Sequence, residues 1–98
     1  MPNTIELKFD NPNQLTLSGS KNGYKVYQEQ LKKHLTPDAL KEGITIKFPD
    51  SIIMIGSFFI DGLIAPLIEL IGSDGVHSKV NFKTSSEELT KEVYSDIL

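Results

Sequence analysis

The sequence predicts an α/β fold: a small mixed sheet of about four strands with helices packed on it. Three observations lead there. Short runs alternate apolar with polar residues, as in Ile5, Leu7 and Phe9 against Glu6 and Lys8, which is the period of a half-buried strand. Longer stretches with helical spacing lie between these runs, and strands that alternate with helices imply parallel pairs and right-handed crossovers. A continuous apolar run, Ile52 to Ile55, passes through Gly56 and Ser57 straight into a long apolar segment, Phe58 to Ile71. That order reads as a covered central strand delivering the chain to a helix start.

Thr4 to Phe9 is the first strand. Asn11, Pro12 and Asn13 make a turn, and Gln14 to Leu17 returns as a short second strand. Ser18 to Gly23 is a small polar loop leading into a helix that ends near Leu35. Tyr24, Tyr27, Leu31 and Leu35 form its apolar stripe, while Lys25, Gln28, Glu29, Lys32 and Lys33 face water. Thr36 followed by Pro37 and Asp38 is an N-cap with proline at the first helical position, and Gly43 stops the short turn it starts.

Ile44, Ile46 and Phe48 alternate as the next strand, and Pro49 with Asp50 interrupts it. The helix from Ser57 to Ile71 is apolar nearly all round, with Asp61, Ala65 and Glu69 as a thin outer stripe. Such a helix is either buried on most sides or shared with another chain. Pro66 lies too deep for the first turn, so a kink or break is expected there, eased by Gly62 four residues earlier. Gly72 to Gly75 ends the helix. Val76, Ser78, Val80 and Phe82 alternate as a further strand. Ser85 and Glu88 read as a capping box for a last helix that buries Leu89, Val93 and Ile97.

Composition narrows the function classes. Ninety-eight residues make one domain, 1–98, with charged and apolar fractions near globular averages. A formal net charge of -3 argues against nucleic-acid binding. With no cysteine there is no disulfide, thiolate metal site or cysteine nucleophile. The opening from Met1 to Glu6 lacks the basic and apolar regions of a signal peptide, and the longest apolar stretch is broken by glycine, aspartate and proline. A cytoplasmic protein without a membrane span is therefore expected.

No catalytic constellation stands out. His34 and His77 are isolated from carboxylates at ligand spacing, so no metal or cofactor is expected. Asp50 and Asp61 suit a turn and a helix N-terminus without acid–base work. Ser20 and Lys21 lie in a loop with phosphate-loop composition but without the G-x-x-x-x-G-K-[ST] spacing, which leaves a nucleotide- or anion-binding domain as one alternative. Tyr24 and Tyr27 suit a core stripe with hydroxyls at its rim. An oligomerising structural or inhibitory subunit, joined through helix 57–71, is the other alternative, and a homodimer is expected from the apolar excess of that helix.

The segment Thr45 to Ser57 resembles the central strand, loop and helix start of STAS-like domains, the group that includes anti-sigma factor antagonists. Ser57 and Phe58, with Asp61, Gly62 and Leu63 beyond, are similar to the helix opening of an uncharacterised STAS-like branch. The resemblance covers most of the chain. It implies a regulatory, non-catalytic module, bacterial or phage in origin, that docks on a protein partner such as a histidine-kinase-like ATPase. Gly56, Ser57, Phe58 and Asp61 would form that site. The family's phospho-switch reads Asp-Ser-Ser-Gly. Aligned without gaps, this chain has Gly56, Ser57, Phe58 and Phe59, which places phenylalanine where the phosphorylated serine would stand. Ser57 is the nearest hydroxyl, and it is also expected to cap its helix by accepting from the Ile60 N–H.

Overall fold

The computed structural model describes residues 3–97. Met1 and Pro2, which begin the segment read above for a signal, and Leu98 lie outside the described residues. The elements in chain order are β1 (Asn3–Glu6), β2 (Thr16–Leu17), α1 (Ser20–Val26), α2 (Pro37–Glu42), β3 (Ile44–Lys47), β4 (Met54–Ile55), α3 (Ser57–Lys79), β5 (Val80–Lys83) and α4 (Glu87–Ile97). After Val26 the helical path of α1 continues as a π turn, Tyr27–Leu31, and a 3₁₀ turn, Lys32–His34.

The α/β class is as expected, but the sheet is organised differently. Every described pairing is parallel, and the strands form two groups: β1–β3–β5, and the two-residue ribbon β2–β4. One mixed sheet of about four strands was expected, with Ile52 to Ile55 near its centre, but five strands are described and β4 lies outside the three-stranded sheet. Instead β2 swings away to lie beside β4, with Leu17 opposite Ile55.

In the three-stranded sheet Ile5, Ile46 and Phe82 share one row, as do Glu6, Lys47 and Lys83. The first row is buried and belongs to the main core. The second lies on the opposite face, where Glu6 and Lys83 are exposed and Lys47 is half-buried. Alternation in β1 and β5 thus reports a sheet covered on one face, as the sequence pattern required.

The core is built by α3 lying on the sheet and α1 lying on α3. Leu31, Ile44, Ile46, Phe48, Ile52, Ile60, Leu63 and Leu67 are fully inaccessible. Helices α1 and α3 approach until their backbones are close neighbours. A Cβ at Gly23 would collide with the carbonyl oxygen of Phe59 and lie 2.8 Å from the Leu63 nitrogen. A Cβ at Gly62 would collide with the carbonyl oxygen of Ser20. Gly23 was expected in a loop and Gly62 as relief for a proline bend. Both are instead the places where two helix backbones touch.

Helix α3 departs from expectation in three ways. Its backbone stays helical through Pro66, and the interruption comes at Gly72, with φ 77° and ψ 165°. Only glycine holds that φ at little cost, so the break is local to Gly72. Helix then resumes through Lys79, so Val76 is helical and the strand expected from Val76 onward begins at Val80. Finally, burial is one-sided. Phe59, Ile60, Leu63, Ile64 and Leu67 face the core, Asp61, Ala65 and Glu69 face water, and Phe58 and Leu70 are exposed.

The caps are partly displaced. Thr36 caps α2, accepting from the Ala39 N–H at 3.1 Å, and the backbone N–H of Gly43 closes that helix on the Ala39 carbonyl. For α4 the cap is Ser86, whose hydroxyl accepts from Leu89 N–H at 3.1 Å. Ser85 instead donates to the Ile52 carbonyl at 2.8 Å, tying the start of α4 to the approach of β4.

Gly62→Ala decides between two effects of opposite sign. Helix propensity alone favours alanine by about 1 kcal/mol. The backbone of Ser20 cannot yield as a side chain would, so overpacking should win and the variant should lose ~1–3 kcal/mol or more. Leu67→Ala, at a fully buried site, should lose about 2–5 kcal/mol. Urea midpoints measure both, and a stabilised Gly62→Ala would refute the close contact.

Candidate functional site

The start of α3 is set by the β2–β4 ribbon. Gly56 N–H donates to the Leu17 carbonyl at 2.8 Å, which holds the last residue before the helix against the end of β2. Gly56 is itself the N-cap, in extended conformation, and no side chain caps the helix. Its carbonyl accepts from Ile60 N–H at 3.2 Å. Ser57 is therefore the first helical residue rather than the cap, and the Ile60 N–H expected on its hydroxyl is taken by the backbone. Ser57, Phe58 and Asp61 are all exposed, and Gly56 is half-buried.

The ribbon displays apolar side chains instead of burying them. Ile52 and Ile55 enter the core as expected of a covered strand, but Ile53 and Met54 are 64% and 61% exposed. The carbonyl of Leu15 accepts from both Ile53 N–H, at 2.8 Å, and Met54 N–H, at 3.2 Å. Leu15 is 55% exposed beside them, and Phe58, on the first turn of α3, is 70% exposed. Phe58 belongs to the helix read as apolar nearly all round and to the site that the resemblance implies. It points out because Phe59 and Ile60 take the buried positions, and a helix 3.6 residues per turn leaves their predecessor on the other side.

Four large apolar side chains on two hydrogen-bonded segments and the turn that follows exceed the singly scattered apolar residues of an ordinary surface. Sequence reasoning found Phe58 but missed Leu15, Ile53 and Met54. The available signal was the length of the ribbon. Two-residue strands cannot carry an unbroken apolar run into a covered sheet, yet nothing in the run itself shows how short the strand will be.

Ser20 meets α3 at Gly62, in its second turn, while the start of the same loop lies near the helix start, where a Cβ on Gly56 would stand 3.7 Å from Ser18 Cα. A groove of about 280 Å³ does lie beside α1, but its charged lining is balanced, Lys8 and Lys25 against Asp10 and Glu29. Neither Ser20 nor Lys21 lines it. Tyr27 is buried, whereas Tyr24 is exposed, stacks on Tyr27 with ring centroids 6.3 Å apart and bonds Gln28 through its hydroxyl. His34 and His77 are exposed, as are Asp50 and Asp61. Among the described residues no three metal-ligating side chains gather, and no helix is long and apolar enough to cross a membrane.

In comparison with known proteins, the chain matches no family model, no curated protein and no solved structure.

The absence of a side-chain bond at the start of α3 has a measurable consequence. Ser57→Ala should change stability by no more than about 0.5 kcal/mol, as at an ordinary surface site. Ser86→Ala should cost about 1 kcal/mol, because it removes a true N-cap. Thermal or urea denaturation of the two variants side by side tests the assignment, and equal losses would return the capping role to Ser57.

Proposed function

We propose that this chain is a non-catalytic protein-binding module that docks a partner through Leu15, Ile53, Met54 and Phe58. One observation carries the reading: four large apolar side chains, each more than half exposed, are carried by the hydrogen-bonded approaches to the β2–β4 ribbon, the start of β4 and the first turn of α3. Burying such a patch against a partner gains roughly 25 cal/mol per Å² of apolar surface. An exposed aromatic residue such as Phe58 is the kind of anchor that dominates interface energies.

The family form of this proposal is a STAS-like regulatory domain. Its support is the residue pattern around Ser57 and Phe58, together with a strand that hands the chain to a helix at Gly56. In that form the partner is a histidine-kinase-like ATPase, and Ser57 is the point of control. A phosphate on Ser57 would be held favourably by the N-terminal dipole of α3. It would also add up to two negative charges beside the apolar patch, which a partner would then have to desolvate. The same patch is the surface through which two copies of the chain would meet in a homodimer.

Phe58→Ser tests the docking surface. Because Phe58 is exposed, the variant should fold with the wild-type denaturation midpoint, while capture of the native partner by the immobilised protein should fall. Ser57→Glu should reduce capture likewise if the serine is a switch. Sedimentation at micromolar concentration reads self-association of the wild type and its loss in Phe58→Ser. Unchanged capture and unchanged sedimentation for a folded Phe58→Ser would remove the patch from the function.

A further inference from the structure

The three-stranded sheet has two outer edges, and side chains cap parts of both. On β5 the Tyr94 hydroxyl accepts from the Phe82 N–H at 2.9 Å, with the two rings packed edge to face. Just beyond β1 the carboxamide of Gln30 serves Lys8 twice. Lys8 N–H donates to Gln30 Oε1 at 2.7 Å, and Gln30 Nε2 donates to the Lys8 carbonyl at 2.7 Å. One amide thereby supplies the donor and acceptor that a neighbouring strand would offer.

This pair fixes the phase of the whole edge. Leu7 N–H donates inward to the Lys47 carbonyl at 2.9 Å, while Lys8 turns its backbone outward to Gln30. Backbone groups alternate sides along a strand, so Thr4 and Glu6 also present N–H and C=O outward, away from β3. Among the described residues no hydrogen bond reaches these outward groups. The edge opens into a groove of about 360 Å³, walled on its far side by Gln30, Lys33 and His34 of the π and 3₁₀ turns. Two lysines, Lys8 and Lys33, line it against one carboxylate, Glu6, on a chain whose net charge is -3.

We propose that this groove takes an extended acidic peptide segment of another protein, which adds to β1 as a further strand. Thr4 and Glu6 supply the backbone ladder, and Lys8 and Lys33 meet acidic side chains of the incoming segment. Affinity comes from main-chain hydrogen bonds and selectivity from charge, as in other β-augmentation. The groove is separate from the apolar patch, so the proposal does not depend on that docking surface.

The probe is a blocked six-residue peptide of alternating valine and aspartate, with a valine–lysine peptide as its counterpart, titrated into the full chain by amide NMR. The acidic peptide should shift Thr4 and Glu6 amides saturably and slow their hydrogen exchange, leaving Ile5, already bonded to β3, unchanged. Lys33→Glu should weaken binding roughly threefold to tenfold, the scale of reversing one exposed charge pair. Glu6→Pro removes an outward N–H that the β1–β3 pairing does not use but the incoming strand would, a change an edge strand tolerates. It also removes the opposing carboxylate, so loss of binding in that variant isolates the backbone bond. A backbone N-methylated acidic peptide gives the same test with the wild-type chain and should not bind. The proposal fails if the acidic peptide does not bind by about 1 mM, or if the lysine peptide binds as well. It fails also if Thr4 and Glu6 become protected with rising protein concentration alone, since the occupant would then be a second copy.

Discussion

The closest packing in this fold is between two helix backbones. Where Gly23 of α1 and Gly62 of α3 face each other's carbonyl neighbours, no side chain separates the helices, and even a methyl group on either residue would strike a backbone oxygen. Interiors packed to crystal density do not absorb such an intrusion. The larger consequence is positional. With α1 pressed onto the second turn of α3, Tyr27 and Leu31 reach the core, and the π and 3₁₀ turns carry Gln30 back to the edge of β1. The segment that makes the helix contact at Gly23 thus also carries Gln30 to the groove beside β1.

The start of α3 follows from a different constraint. The β2–β4 ribbon is only two residues long, and the bond from Gly56 N–H to the Leu17 carbonyl leads directly into the helix. So short a ribbon buries one residue from each strand, Leu17 and Ile55, and leaves Leu15, Ile53 and Met54 outside. An apolar sequence thereby becomes an apolar surface. A partner that covered it would recover the cost of exposing it, which is the physical basis for proposing a docking surface.

Much of the fold was legible in local pattern. Alternation located β1, β3 and β5, because one buried face imposes a period of two on any strand. The Thr36–Pro37 cap and the Gly43 stop were read correctly, since a cap is chemistry between neighbours in the chain. The α4 cap slipped by one residue because Ser85 and Ser86 offer the same hydroxyl, and only the contact with Ile52 decides which is used elsewhere. Of the candidate site, Gly56, Ser57, Phe58 and Asp61 were placed at the helix start from sequence. The three apolar residues of the ribbon were not, because their exposure depends on where strand pairing stops.

The sequence by itself determined the class of the fold, the alternation of strands with helices, and the entry of the Ile52–Ile55 run into α3 through Gly56, since each rests on periodicities that neighbouring residues create. Tertiary structure alone decided which residues pair and which faces close. It laid β2 beside β4 rather than β1, turned Gly62 from proline relief into a helix contact, and put the end of α3 at Lys79. It also turned Phe58 outward. These outcomes depend on residues distant in sequence, and a local pattern carries no record of its distant neighbour.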